Sequence, residues 1–361
     1  MKFIQYIKSL FLILGLLLIS ACNETEITTR INKDGSCERL IRLDSSSPDE
    51  FFNHYFIHVD STWTIYVETN EDTASADTMR IKHEKPKAMA KKYFKNINAL
   101  NQSMQFNPDT TACVKMRISL EKKFRWFNTY YIYHEKYMPA NPFTKLPILD
   151  YLSREELEKW IFEDESAETE SHKKDHKLLE NKIEQFYADA IFESFYDVFL
   201  EAIKKLNHPR LSCSYFQNHK ELMYQMIYNT IEEGNFGDYA KQAVQAIAAE
   251  TKNRYVLLLL DEEHDFFHLF NIQETFFLNI ALTDFTNRIQ MPGLILDTNS
   301  EQIEGNTAIW KFDGDLFLFT EHLMWVESRV VNPWAWGITA VVFVLLVLGI
   351  VLPLRNRNRS K

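Results

Sequence analysis

The chain has 361 residues, 40 Lys+Arg against 50 Asp+Glu, a net charge of −10, and 46% hydrophobic residues. Such a composition belongs to a folded protein with a substantial core, and its acidity argues against a partner held through nucleic-acid phosphates. None of the nine glycines completes G-x-G-x-x-G, G-x-x-x-x-G-K-[ST] or G-x-S-x-G, so phosphate-loop and nucleophile-elbow enzymes find no support.

Residues 1–21 read as a lipoprotein signal peptide. Lys2 and Lys8 form the positive n-region, and Leu10 to Ile19 form an apolar stretch too short to span a bilayer. Ile19-Ser20-Ala21-Cys22 resembles a bacterial lipobox. That resemblance implies that Cys22 is thioether-linked to diacylglycerol and becomes the mature N-terminus. No other cofactor is expected.

Residues 22–149 read as the β-rich first part of an extracytoplasmic body. Asn32-Lys33-Asp34-Gly35 between β-prone runs predicts a hairpin of Glu24 to Ile31 and Ser36 to Leu43. A short helix is expected over Asp49 to His58, with strands at Trp63 to Glu68 and Thr78 to Lys82. Pro86 is placed to open a helix to about Leu100, since Met89, Tyr93, Phe94, Ile97 and Leu100 have helical spacing. Cys113 to Tyr137 predicts a wide hairpin turning near Asn128. Lys87 to Lys95 and Lys115 to Arg125 are its basic clusters, read as solvated faces.

Residues 150–282 read as a helical insertion. Ser153 and Glu156 form a capping box for a helix to about Glu163. Periodic helices are expected over Leu178 to Leu206, Tyr215 to Glu233, Tyr239 to Lys252 and Asp261 to Asn271. The stripe Phe186, Tyr187, Phe192, Phe195, Tyr196 and Phe199 reads as core. Over 283–331 the strand pattern returns, at Phe285 to Gln290, Leu294 to Asp297, Thr307 to Phe312 and Leu316 to Glu327. Asp313-Gly314-Asp315 is expected to be a hairpin turn. The fold class is therefore α+β, with N- and C-terminal strands sharing a sheet around a large helical insertion.

No charged residue falls between Arg329 and Arg355. Residues 334–354 read as one transmembrane helix, with Trp334 and Trp336 as interfacial anchors. Residues 355–361 form a basic tail, and Arg355, Arg357, Arg359 and Lys361 place it in the cytoplasm by the positive-inside rule. The expected location is the cytoplasmic membrane with the body outside. Without Lys2, Lys8 and the four tail cations, that body carries about −16.

Met291-Pro292-Gly293-Leu294-Ile295, Thr298-Asn299, Gly305-Asn306, and Trp310 followed by Phe312 are similar to a pattern in bacterial membrane lipoproteins of the LppM type. The lipobox, the Lys33-Asp34-Gly35 hairpin and the C-terminal helix with its basic tail fit the same resemblance. It covers about a third of the chain and departs in the much larger helical region. It implies an α/β lipoprotein domain that binds envelope lipids or glycolipids, with no catalytic residue to carry across.

Three His-x-x-x-His pairs occur, His54/His58, His172/His176 and His264/His268, and on a helix each would share one face. His264-Asp265-Phe266-Phe267-His268 comes nearest to H-E-x-x-H, with Asp in place of the general-base Glu. Asp261, Glu262 and Glu263 flank it. With Cys22 lipidated, Cys37, Cys113 and Cys213 allow at most one disulfide. The sequence favours a doubly anchored, non-catalytic envelope lipoprotein that binds an envelope lipid or glycolipid or a partner protein. One alternative is a membrane-tethered metal hydrolase using His264 and His268. The other is a helical scaffold or assembly factor for an envelope complex. No catalytic residue and no metal ligand is assigned beyond that alternative.

Overall fold

The computed structural model describes residues 23–44, 47, 51, 59–68, 87–104, 114–162, 170–231, 238–261 and 263–359. The expected signal peptide with Cys22, the expected strand at Thr78 to Lys82, His54, His58, Cys113, Glu262 and Lys361 lie outside these. So does nearly all of the helix expected over Asp49 to His58.

The chain opens with β1 (Asn23–Ile31) and β2 (Cys37–Leu43), the expected hairpin. Gly35 holds φ +95° in its turn, and Asp34 Oδ1 accepts from the Ser36 amide at 2.9 Å and its hydroxyl at 2.7 Å. β3 (Thr64–Glu68) follows. The helix expected from Pro86 is instead β4 (Lys87–Phe94) followed by α1 (Ile97–Ser103). Ala90 sits between Ile41 of β2 and Ile65 of β3, and pairing on both sides overrides the helical preference of this Ala- and Lys-rich run. α1 begins where Asn96 caps the Ala99 amide at 2.9 Å. β5 (Met116–Phe124) and β6 (Asn128–Tyr137) form the expected wide hairpin.

Helices occupy the insertion. α2 (Arg154–Phe162) carries the capping box as read: Ser153 Oγ accepts from the Glu156 amide, and Glu156 Oε2 accepts from the Ser153 amide. α3 (Glu170–Leu206) buries Phe186, Phe192, Phe195, Tyr196 and Phe199, so the aromatic stripe is core. The helix expected over Tyr215 to Glu233 is two, α4 (Cys213–Asn218) and α5 (Lys220–Ile231), broken at His219. α6 (Tyr239–Glu250) matches expectation, and α7 (His268–Ala281) starts seven residues later than predicted.

β7 (Thr283–Gln290), β8 (Leu294–Thr298), β9 (Gln302–Glu304) and β10 (Thr307–Asp313) follow. The strand expected from Leu316 begins as α8 (Asp315–Phe319), and β11 (His322–Val331) comes after it. Gly314 is no hairpin turn. A Cβ there would come within 1.7 Å of the Ile280 carbonyl oxygen, so glycine lets the chain press against the end of α7. Leu316, Phe317 and Leu318 are then buried together, which an alternating strand would not allow.

The strands form two sheets, β3-β4-β2-β1-β7-β10-β9 and β5-β6-β11-β8. Each unites the two ends of the chain. β1 runs parallel to β7, from Asn23 opposite Thr283 to Arg30 opposite Gln290, and β11 pairs along the whole of β6. The insertion leaves after Tyr137 and returns at Thr283, on one end of the strands. α9 (Pro333–Arg359) leaves from the other end, after Val331, and includes both the expected membrane span and Arg355 to Arg359 of the tail. β1 is about 26 Å long at ~3.3 Å per residue, and Asn23 lies at the insertion's end. The Lys33 carbonyl beyond its other end accepts from Tyr131 and Lys122.

Candidate functional site

Between the sheets lies a buried polar cluster built by strand alternation. β2 turns Cys37, Arg39, Ile41 and Leu43 inward, and β6 turns Tyr131, Tyr133, Glu135 and Tyr137 toward them. Arg39 Nη2 donates to Glu135 Oε1 at 2.5 Å, and neither side chain is exposed. The Tyr133 and Tyr137 hydroxyls donate to Glu135 at 2.6 and 2.5 Å, and Asn287 Nδ2 donates to the Tyr137 oxygen at 3.2 Å. Burial pulls the Arg39 guanidinium down, but Glu135 and the tyrosines outweigh it and hold it firmly charged. Burial, then Glu135, raises both tyrosines well above the usual phenol range. Burial also pushes the Cys37 thiol up to about 12, which leaves it unreactive. The cluster fixes how the sheets stack and offers no open face to a substrate.

A second buried acid ties the insertion to the sheets. Asp315 accepts from Trp160 Nε1 of α2 at 2.5 Å and from the Tyr187 hydroxyl of α3. Burial pushes its carboxyl up to about 6 against the lowering effect of those two donors.

The third cluster lies where α9 meets the sandwich. Among the described residues α9 is the one helix long and apolar enough to cross a membrane, over Pro333–Ile350. Its start is gripped by the β5–β6 turn. Asn332 is buried, and its Nδ2 donates to the carbonyls of Arg125 at 3.0 Å and Trp126 at 3.3 Å. Its backbone amide donates to the Phe127 carbonyl at 2.8 Å, and its Oδ1 accepts from Thr129 at 3.1 Å. Trp126 Nε1 donates to Thr339 Oγ1 at 2.9 Å, and Thr339 donates to the Ala335 carbonyl. Trp334 stacks on Phe124 with ring centroids 6.1 Å apart and meets Trp126 edge-on at 5.3 Å, while Trp336 lies 4.4 Å from Phe127. Phe124, Trp126, Trp334 and Trp336 remain about half exposed.

The expected anchors Trp334 and Trp336 are thus brought to one place, and Phe124, Trp126 and Asn332 join them. Sequence reading passed over those three. The signal available for them was three aromatics beside a basic turn, Phe124-Arg125-Trp126-Phe127. His264 and His268 do not share a helical face. His264 precedes α7 in a turn where Asp265 holds φ +37°, and it stacks on Phe266. His268 is the first residue of α7, exposed, 3.9 Å from Asp265. The helix starts late because its apolar face, from Phe270 to Ile280, packs on Phe143 and Phe195, and Phe267 just before it is buried against Phe195 in a non-helical turn, which leaves Glu263, His264 and Asp265 exposed. Among the described residues no three His, Cys, Asp or Glu side chains are grouped to hold a metal ion. Cys37 and Cys213 are free thiols.

The residues behind the family resemblance fasten turns. Asn306 bonds both backbone groups of Met291, through its carbonyl at 2.9 Å and its Nδ2 at 2.5 Å. Asn299 bridges Leu323 and Trp325, and Thr298 donates to the Trp325 carbonyl. A shallow cleft of about 350 Å3 between Arg210, Ser212, Tyr215, Phe216, Thr251 and Asn253 is too polar to seat an acyl chain. Comparison with protein-family models, curated proteins and solved structures finds no match.

Proposed function

We propose that the chain is a doubly anchored cell-envelope lipoprotein that works by binding, not catalysis. The observation that carries this reading is the grip on α9. A helix long and apolar enough to span a bilayer leaves the body held by Asn332 and Trp126, not through a slack linker. The lipobox at Cys22 supplies the second anchor, with the body outside the cytoplasm and the basic tail within. The strands separate the two anchors, so for both to enter one bilayer β1 must lie along the membrane.

The ligand is an envelope lipid or glycolipid, as the LppM-type resemblance suggests, or a partner protein. The helical insertion, at the end of the strands away from α9, is the face available to it. The test is native mass spectrometry of the full chain released from nanodiscs, set against its denatured mass. An excess of several hundred daltons lost on denaturation is expected for a lipid, and a whole protein mass for a partner. A bare chain with metal-dependent hydrolase activity, lost in the His264→Ala/His268→Ala variant, would overturn the reading.

A further inference from the structure

We infer that the β5–β6 turn, Phe124 to Phe127, is itself a membrane-inserting element that sits among lipid headgroups and the first carbons of the chains beside α9. This rests on α9 entering a bilayer. The depth follows from the helix. A hydrocarbon core about 30 Å thick needs about 20 residues at ~1.5 Å each. The apolar run ends at Leu354, before Arg355, so the core reaches back to about Ala335. Thr339 then lies about 6 Å inside it, and Trp126, bonded to Thr339, is drawn to that level. If the core began beyond Thr339, Ala340 to Leu354 would offer only about 22 Å of helix, too little to cross.

The turn is built for that position. Backbone groups in lipid must be satisfied within the protein. Here the Arg125 amide donates to the Asn128 carbonyl and the Asn128 amide returns to the Arg125 carbonyl. Asn332 supplies donors to the Arg125, Trp126 and Phe127 carbonyls. The exposed rings are those that favour the interface, with a polar edge on an apolar body. Arg125 is exposed among them as a cation for the headgroup phosphates, while Lys122 is bonded to the Lys33 carbonyl and Lys123 is paired with Glu121 at 3.0 Å. Side chains of α9 beyond Thr339 are exposed as far as Ile350, so the body touches the helix at this turn and then leaves it to lipid.

The test uses the full chain with Cys22→Ser, Cys113→Ser and Cys213→Ser, the buried Cys37 being left in place. One environment-sensitive fluorophore is attached at Arg125→Cys or at Val342→Cys. Each protein is reconstituted into phosphatidylcholine vesicles with a minor share of phosphatidylglycerol, and doxyl-lipid quenchers are placed at graded depths. The proposal expects the Val342 label to be quenched from chain depth and the Arg125 label from the headgroup and upper-chain region, with a blue-shifted emission. Quenching at Val342 with an Arg125 label as water-exposed as in detergent-free buffer would overturn it and leave the anchor standing. Quenching at neither position would overturn the anchor and the insertion together.

Discussion

Arg39 on β2 and Glu135 on β6 meet across the two sheets at 2.5 Å, neither exposed to solvent, and two tyrosine hydroxyls close around the same carboxylate. The pair replaces apolar packing at the centre of the sandwich, so its worth lies in its completeness. Arg39→Met leaves the Glu135 carboxyl buried without its ionic partner and should cost about 3–5 kcal/mol. Adding Glu135→Gln replaces the carboxyl by a neutral amide, keeps partners for Tyr133 and Tyr137, and should recover most of the loss. Thermal unfolding of the three full-length proteins in one detergent decides it; a double variant no better than Arg39→Met would contradict the argument.

Asp315 gives the junction between insertion and sheets a dependence on pH. Its carboxyl is raised from 3.8 to about 6, so the folded state holds the proton more tightly than the unfolded one. Its contribution is complete below about pH 4 and is lost as pH rises through about 6. Asp315→Asn keeps an acceptor for Trp160 and a donor for Tyr187 without the charge. It should be more stable than the native chain by roughly 1–3 kcal/mol at pH 7.5, and the gap should close toward pH 4. His322, whose pKa burial lowers, acts in the opposite direction, but it is common to both chains and cancels in the difference. Melting curves at the two pH values test this; a gap independent of pH would refute it.

Asn332 is the joint of α9, the helix apolar enough to cross a membrane. Asn332→Ala removes the side-chain donor to Trp126 and one of the two donors to Arg125, at a cost of about 1–3 kcal/mol. Asn332→Asp should fail as well, since a carboxylate cannot donate. Hydrogen exchange on the vesicle-bound chain should show faster exchange at Asn128 in both variants, with that at the β1–β2 hairpin unchanged.

The two anchors should be separable. Cys22→Ser should remove the acyl mass and leave the chain in the membrane fraction through α9. A chain ending at Asn332 should remain attached through its lipid, and the combination should be released. Carbonate extraction with intact-mass measurement reads all three. Release of the Cys22→Ser chain alone would show that α9 does not hold.

What the sequence made legible was local. The Asp34-Gly35 turn, the Ser153/Glu156 box and the charge-free stretch from 330 to 354 each carry their structure within a few residues. β4 was misread because Ala88, Ala90 and Phe94 fit a strand as well as Met89, Tyr93 and Ile97 fit a helix, and only the flanking strands decide. Leu316 to Phe319 was misread because Gly314 meets Ile280, a contact that no spacing in the chain announces. The joint at α9 was hidden for the same reason: Trp126 and Thr339 are 213 positions apart. The basic residues from Lys115 to Arg125 are exposed as expected, yet the last of them sits beside the start of α9.

The parallel pairing of β1 with β7 sets an order of assembly. Arg30 and Gln290 are 260 residues apart, so the first strand made must wait for most of the chain before its second neighbour exists. Through synthesis the β1–β2 hairpin therefore stands with one long edge open, at a place that will become the middle of a sheet. Contacts between the chain's ends form slowly, and open edges invite foreign strands. The finished protein conceals this edge, but a nascent or truncated chain ending before β7 would carry it permanently and should aggregate through it.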